Sequence, residues 1–158
     1  MAPTPARVAA MNPRSLLDYY TPVRPSPRDQ SAFRVAEYIA RELGVKFEQA
    51  EFEIFWWQKG SNERFGFTVR DGTKPVPVWL ATGGSVEQII STAGHELKHV
   101  RDLLDGRASL DDHFGLDDYA KRHRESEARA EVFASRVVAR WKALCARIKS
   151  ADSEAVAT

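Results

Sequence analysis

The chain has 158 residues, 43% hydrophobic and 28% charged, with four Trp and eight Phe, the size and make-up of one folded domain with a real core. A net charge of +1 gives no overall pull toward nucleic acid or an anionic membrane, and no apolar run approaches the roughly 20 residues of a membrane-spanning helix. A single cysteine, Cys145, excludes an internal disulfide and a thiolate metal cluster, and the N-terminus lacks a secretory apolar core, so a cytoplasmic protein is expected, with non-classical export left open.

Residues 1–25 carry Pro3, Pro5, Pro13, Pro22 and Pro25. They read as a flexible, proline-rich arm in which Leu16, Leu17, Tyr19 and Tyr20 are candidates to dock on the domain. A helix is expected from Ser26, a good N-cap followed by Pro27 and Asp29. Its apolar stripe is Phe33, Ala36, Ile39, Ala40 and Leu43, and Gly44 stops it. Over residues 45–82 the apolar period shifts toward two. Phe52, Ile54 and Trp56 form one run, and Phe65, Phe67 and Val69 a second. Val76, Val78 and Leu80 form a third, with Pro75 and Pro77 marking an edge strand. Turns at Gly60-Ser61-Asn62 and Asp71-Gly72 join them into a small antiparallel sheet. Phe55, Trp56, Trp57 and Trp79 are read as core.

Ser85-Val86-Glu87-Gln88 fits a capping box opening a helix that runs to about Leu104. Val86, Ile89, Ile90, Ala93, Leu97, Val100 and Leu104 share one side of it. On the opposite side, in a row with Gln88, Ser91 and Asp102, lie His95 and His99. They bracket Glu96 in the string His95-Glu96-Leu97-Lys98-His99, an H-E-x-x-H motif. Histidines four apart on a helix face the same way, so both can ligate one zinc ion, with the Glu acting on a zinc-bound water. After a loop over residues 105–117, a long helix is expected over residues 118–149. Tyr119, His123, Ala130, Phe133, Val137, Trp141, Leu144 and Ile148 recur along it at three- and four-residue steps. Residues 150–158 read as a disordered tail, which leaves residues 26–149 as the domain.

A hydrolytic zinc site takes three protein ligands and keeps one position for water. With Val137 at the centre of the long helix's buried stripe, Glu127 falls at its edge, Glu131 a little further out, and Glu125 toward solvent. Glu127 is therefore the favoured third ligand. Glu131, one turn on, is placed to hold a ligating histidine by its other ring nitrogen. Asp105, Asp117, Asp118 and His123 remain alternatives. The arginines and lysines near the motif and along the long helix are read as a solvated face, since Glu125, Glu127 and Glu131 intersperse them.

The helix bearing HELKH, the preceding strand VPVWLAT and a later helix with E-A-x-x-E resemble the gluzincin group of zinc metallopeptidases. The compact plan is most similar to ImmA/IrrE-like or SprT-like proteins over about residues 45–140. The resemblance implies an α+β zincin-like fold, with a small antiparallel sheet packed on the motif helix and the long C-terminal helix. It also implies a Zn2+ cofactor, a protein or peptide substrate, and peptide-bond hydrolysis. Zinc lowers the pKa of bound water from 15.7 toward about 7, and Glu96 then serves as general base. Tyr119 and His123 are candidate oxyanion stabilisers. The strand with Val76, Val78 and Leu80 is the expected partner for an extended substrate. Two other functions stay open. One is a zinc-bound regulatory or interaction module that keeps the fold without proteolysis. The other is a homodimer through Trp141, Leu144 and Ile148. The former needs the histidines but not Glu96; the latter needs neither.

Overall fold

The computed structural model describes residues 21–48, 50–58, 65–70, 72–107 and 116–157, the last from the backbone alone over residues 116–119. Helix α1 (Pro27–Glu42) opens with a reciprocal cap. Asp29 N donates to Ser26 Oγ at 3.1 Å and Ser26 N donates to Asp29 Oδ2 at 3.2 Å, which satisfies two donors that a helix start leaves over. Ala32, Ala36, Ile39 and Ala40 carry its buried face. Just before it, Val23 N donates to Trp56 O at 2.9 Å, and the Val23 side chain packs on the core. The arm expected over residues 1–25 lies outside the described residues as far as residue 20.

Three strands follow, β1 (Phe52–Gln58), β2 (Gly66–Thr68) and β3 (Val76–Thr82), and their order in the sheet is β1-β3-β2. The sheet is mixed, not antiparallel: β1 runs parallel to β3, and β2 antiparallel to it. Alternation records where the chain reverses, and β1 and β2 do run in opposite directions; it does not record which strands become neighbours. β3 inserts between them, and VPVWLAT, apolar on both faces, packs on both, against the main core and against the second cluster. Its first six residues are all buried.

The expected edge strand is therefore the central one. Pro77 is tolerated there because of where its missing donor falls. Val69 N donates to Pro77 O at 2.9 Å; the return bond is the one a proline cannot make, and β2 ends at Thr68. Val76, Val78 and Leu80, 1–2% exposed, face the helical core, so they present nothing to a substrate. On the other face Trp57, Val69, Trp79 and Ala81 form a second buried cluster with Phe55, Phe65 and Phe67 against it. Trp56, Trp57 and Trp79 are core, as the sequence implies.

Helix α2 (Val86–Leu104) has the expected Ser85–Gln88 capping box. Ile89, Ile90, Ala93, Leu97 and Val100 enter the main core with α1, β3 and the last helix. That last helix, α3 (Leu116–Ala157), continues well past residue 149, so the tail expected over residues 150–158 is helical as far as Ala157. Apart from Val156 and Thr158 these residues are Ala, Asp, Glu and Ser, with no proline or glycine to stop a helix already propagating. The described residues form an α+β fold, three helices on a three-stranded sheet. Among the described residues no helix is long and apolar enough to cross a membrane.

Candidate metal centre

From His95 onward the polar row of α2 is not a solvated face. α3 and β2 close over it, leaving His99 3% and Asp102 0% exposed. Two close approaches permit this. A Cβ on Gly94 would lie 3.2 Å from Val137 Cβ, so α3 comes in tight beside the motif. A Cβ on Gly66 would lie 2.5 Å from Thr92 Cγ2, so β2 lies directly against α2.

At this junction the side chains of His95, His99 and Glu127 converge. The two Nε2 atoms are 3.0 Å apart. Glu127 places Oε2 at 3.1 Å from His95 Nε2 and Oε1 at 3.1 Å from His99 Nε2. Zinc bonds to histidine nitrogen and carboxylate oxygen at about 2.0–2.2 Å. The two imidazole nitrogens and the Glu127 carboxylate lie close enough together that these three side chains would hold one such ion between them. The set of two imidazoles and one carboxylate suits zinc. Among the described residues these three are the group able to hold a metal ion.

The electrostatics agree with the crowding. Hydrogen bonds from His95 and His99 hold Glu127 far below the usual carboxylate range, against the opposing effect of burial. Burial disfavours charge on His95, but the hydrogen bond to Glu127 and the charges of Glu96, Glu127 and Glu131 outweigh it and raise its pKa. Glu131 Oε2 lies 3.5 Å from His95 Nδ1, the far ring nitrogen, as its position one turn beyond Glu127 implies.

The remaining expected residues divide. Glu96 is 5% exposed and its Oε2 accepts from the Thr68 hydroxyl at 2.7 Å. His123 is exposed, not inward-facing: residues 121–125 all face solvent, and the next residue, Ser126, is buried. The Tyr119, Asp117 and Asp118 side chains lie outside the described residues. Asp105 caps α2 and accepts from Arg101 at 2.8 Å. Of the basic residues read as solvated, Lys98 and Arg129 turn inward to Asp102 at 2.6 and 2.9 Å.

Three residues at the site were not anticipated. Thr68 and Arg70 are two apart near the end of β2, and each touches one member of the motif. Arg70 Nη2 lies 2.8 Å from His99 Nδ1 and 3.9 Å from Glu127 Oε1. Ser126, 2% exposed, places Oγ 3.2 Å from the same His99 nitrogen. The alternation that set Phe65, Phe67 and Val69 on one face sets Gly66, Thr68 and Arg70 on the other. A glycine in such a series marks a face that something packs closely against, and that signal was available. Compared with family models, with curated proteins and with solved structures, the chain matches none.

Proposed function

We propose that the protein is a zinc-dependent peptide hydrolase. The observation that carries this is the triangle of His95 Nε2, His99 Nε2 and the Glu127 carboxylate, with sides of 3.0–3.1 Å, drawn from two helices and built on H-E-x-x-H. A bound zinc ion would supply Lewis acidity, acidifying water and polarising a carbonyl. The chain supplies the rest. His95, His99 and Glu127 hold the ion, and Glu131 steadies His95 from behind. Thr68 donates to Oε2 of Glu96, and the Glu96 carboxylate would be the base that takes a proton from water and returns it to the leaving amine. Burial of Glu96 strengthens its field at the site. In the described sheet the open edge beside the motif is that of β2. The backbones of Phe65 and Val69 turn to β3, so those of Gly66 and Thr68 face outward, where an extended substrate pairs.

One observation favours a second reading, a metal-binding module without turnover. Glu96 is almost wholly buried and already tied to Thr68, as a structural carboxylate would be. Metal analysis combined with peptide turnover separates the two. Wild type purified without chelator is expected to carry one zinc, and His99→Ala and Glu127→Ala to lose it. Glu96→Gln should keep the metal and lose turnover by about 10²-fold or more. Metal-free wild type would sink both readings. Metal with no turnover of any peptide by wild type would leave the second.

A further inference from the structure

His99 Nδ1 has two neighbours of opposite character. We infer that they compete for it: Arg70 holds His99 in the tautomer that cannot bind metal, Ser126 supports the one that can, and a divalent cation enters as the guanidinium leaves the ring. This rests on the metal-site reading above.

The argument starts from what each group can do. A guanidinium has only donors. At 2.8 Å from His99 Nδ1 it therefore places a lone pair on that nitrogen. A neutral imidazole with a lone pair on Nδ1 carries its proton on Nε2. Nε2 is the atom that faces His95 Nε2 at 3.0 Å and Glu127 Oε1 at 3.1 Å. With a proton there it donates to the carboxylate and offers a metal nothing. The Ser126 hydroxyl, 3.2 Å from Nδ1, can instead accept from an Nδ1 proton. That arrangement turns the Nε2 lone pair toward the triangle. Behind His95 there is no competing donor: its Nδ1 faces an acceptor, Glu131 Oε2. The two histidines thus differ in what stands behind them, a carboxylate at His95 and a guanidinium at His99.

Charge acts in the same direction. The Arg70 guanidinium lies 3.9 Å from Glu127 Oε1, and a dication on that carboxylate would be repelled by it. The Arg70 side chain is only 15% exposed, so solvent screens this weakly. The opposite role, in which Arg70 aids the site by orienting His99, predicts the opposite sign for its removal.

Zinc affinity of the full chain, measured by competition with a chromogenic chelator, decides the sign. Arg70→Met is expected to bind zinc at least about tenfold more tightly than wild type. Ser126→Ala is expected to bind it about 10–100-fold more weakly, the usual cost of losing a partner behind a ligating histidine. Long-range proton–nitrogen spectra of the imidazoles give a second readout that needs no substitution. In metal-free wild type the His99 proton should sit on Nε2, and in the zinc-loaded protein on Nδ1. Metal-free Arg70→Met should show the Nδ1 proton without zinc. Arg70→Met binding zinc no tighter than wild type overturns the proposal, as does an Nδ1 proton on His99 in metal-free wild type. Zinc bound by neither wild type nor Arg70→Met removes the metal site itself and the proposal with it.

Discussion

Asp102 is the one charged residue of α2 with no exposed surface, and it sits three residues beyond His99. Burial pushes its carboxyl up, but hydrogen bonds from Lys98 and Arg129 outweigh this and hold its pKa below the ordinary value. A depressed carboxylate pKa adds stability above the unfolded-state pKa, about 3.9 for Asp, and loses it as pH falls through the folded value. Asp102→Asn should therefore cost about 2–3 kcal/mol at pH 7. That is at or below the lower end for breaking a buried pair, because Lys98 and Arg129 can turn partly to water. The gap between variant and wild type should close as pH drops below about 4. Urea unfolding of both proteins at pH 7 and pH 3 checks this, and a gap unchanged at pH 3 would contradict it. A helical projection puts Asp102 in the polar row with His95 and His99, which is correct. It cannot show that a second helix covers that row, since cover depends on where α3 returns. The same blindness hid Ser126, an unremarkable serine until α3 is set against His99.

Between elements, the placement of the site depends on two glycines that bring α3 and β2 against α2. Ala at position 94 gains about 1 kcal/mol of helix propensity, but its Cβ would meet the Cβ and a methyl of Val137 at 3.2 Å. Val137 is wholly buried and β-branched, so it has no easy rotamer to retreat to. Overpacking of this kind costs about 1–3 kcal/mol, and Gly94→Ala should be destabilising by about 1 kcal/mol net. Gly66→Ala should cost more, about 2–3 kcal/mol, because its Cβ would meet Thr92 Cγ2 at 2.5 Å and the Trp79 carbonyl oxygen at 3.1 Å. Backbone cannot swing aside as a side chain can. Thermal unfolding ranks the two, and the reverse order would show that β2 is looser on α2 than its contacts imply. The helices were the most legible elements. The Ser26 and Ser85 caps and the stop after Leu104 fall where composition puts them, because capping is decided by residues within one turn. The strands were legible as strands but not as neighbours. Pairing β1 with β3 joins residues 24 apart in sequence, and no local pattern carries that choice.

For the molecule as a whole, the unusual feature is the length of α3. At 42 residues it is about 63 Å long at 1.5 Å per residue, well beyond what the domain can cover. Trp141 and Leu144 pack against the core of their own chain. Two of the three residues expected at a helix-mediated interface are thus used within the chain, and Ile148 is left 62% exposed. From residue 146 to 157 every residue is exposed, and an isolated helical end of that length gains little from propensity alone. Truncation after residue 149 should therefore leave the melting temperature within about 2 °C of the full chain, less than about 1 kcal/mol for a domain of this size. Zinc affinity should be unchanged, because the proposed ligands lie on α2 and at the other end of α3. A dimer through this end would behave differently: its melting temperature would rise with protein concentration, and the truncated chain would lose that dependence. Thermal scans of both chains over a hundredfold concentration range distinguish a solvated overhang from an interface. A drop of more than about 5 °C at fixed concentration would contradict the overhang.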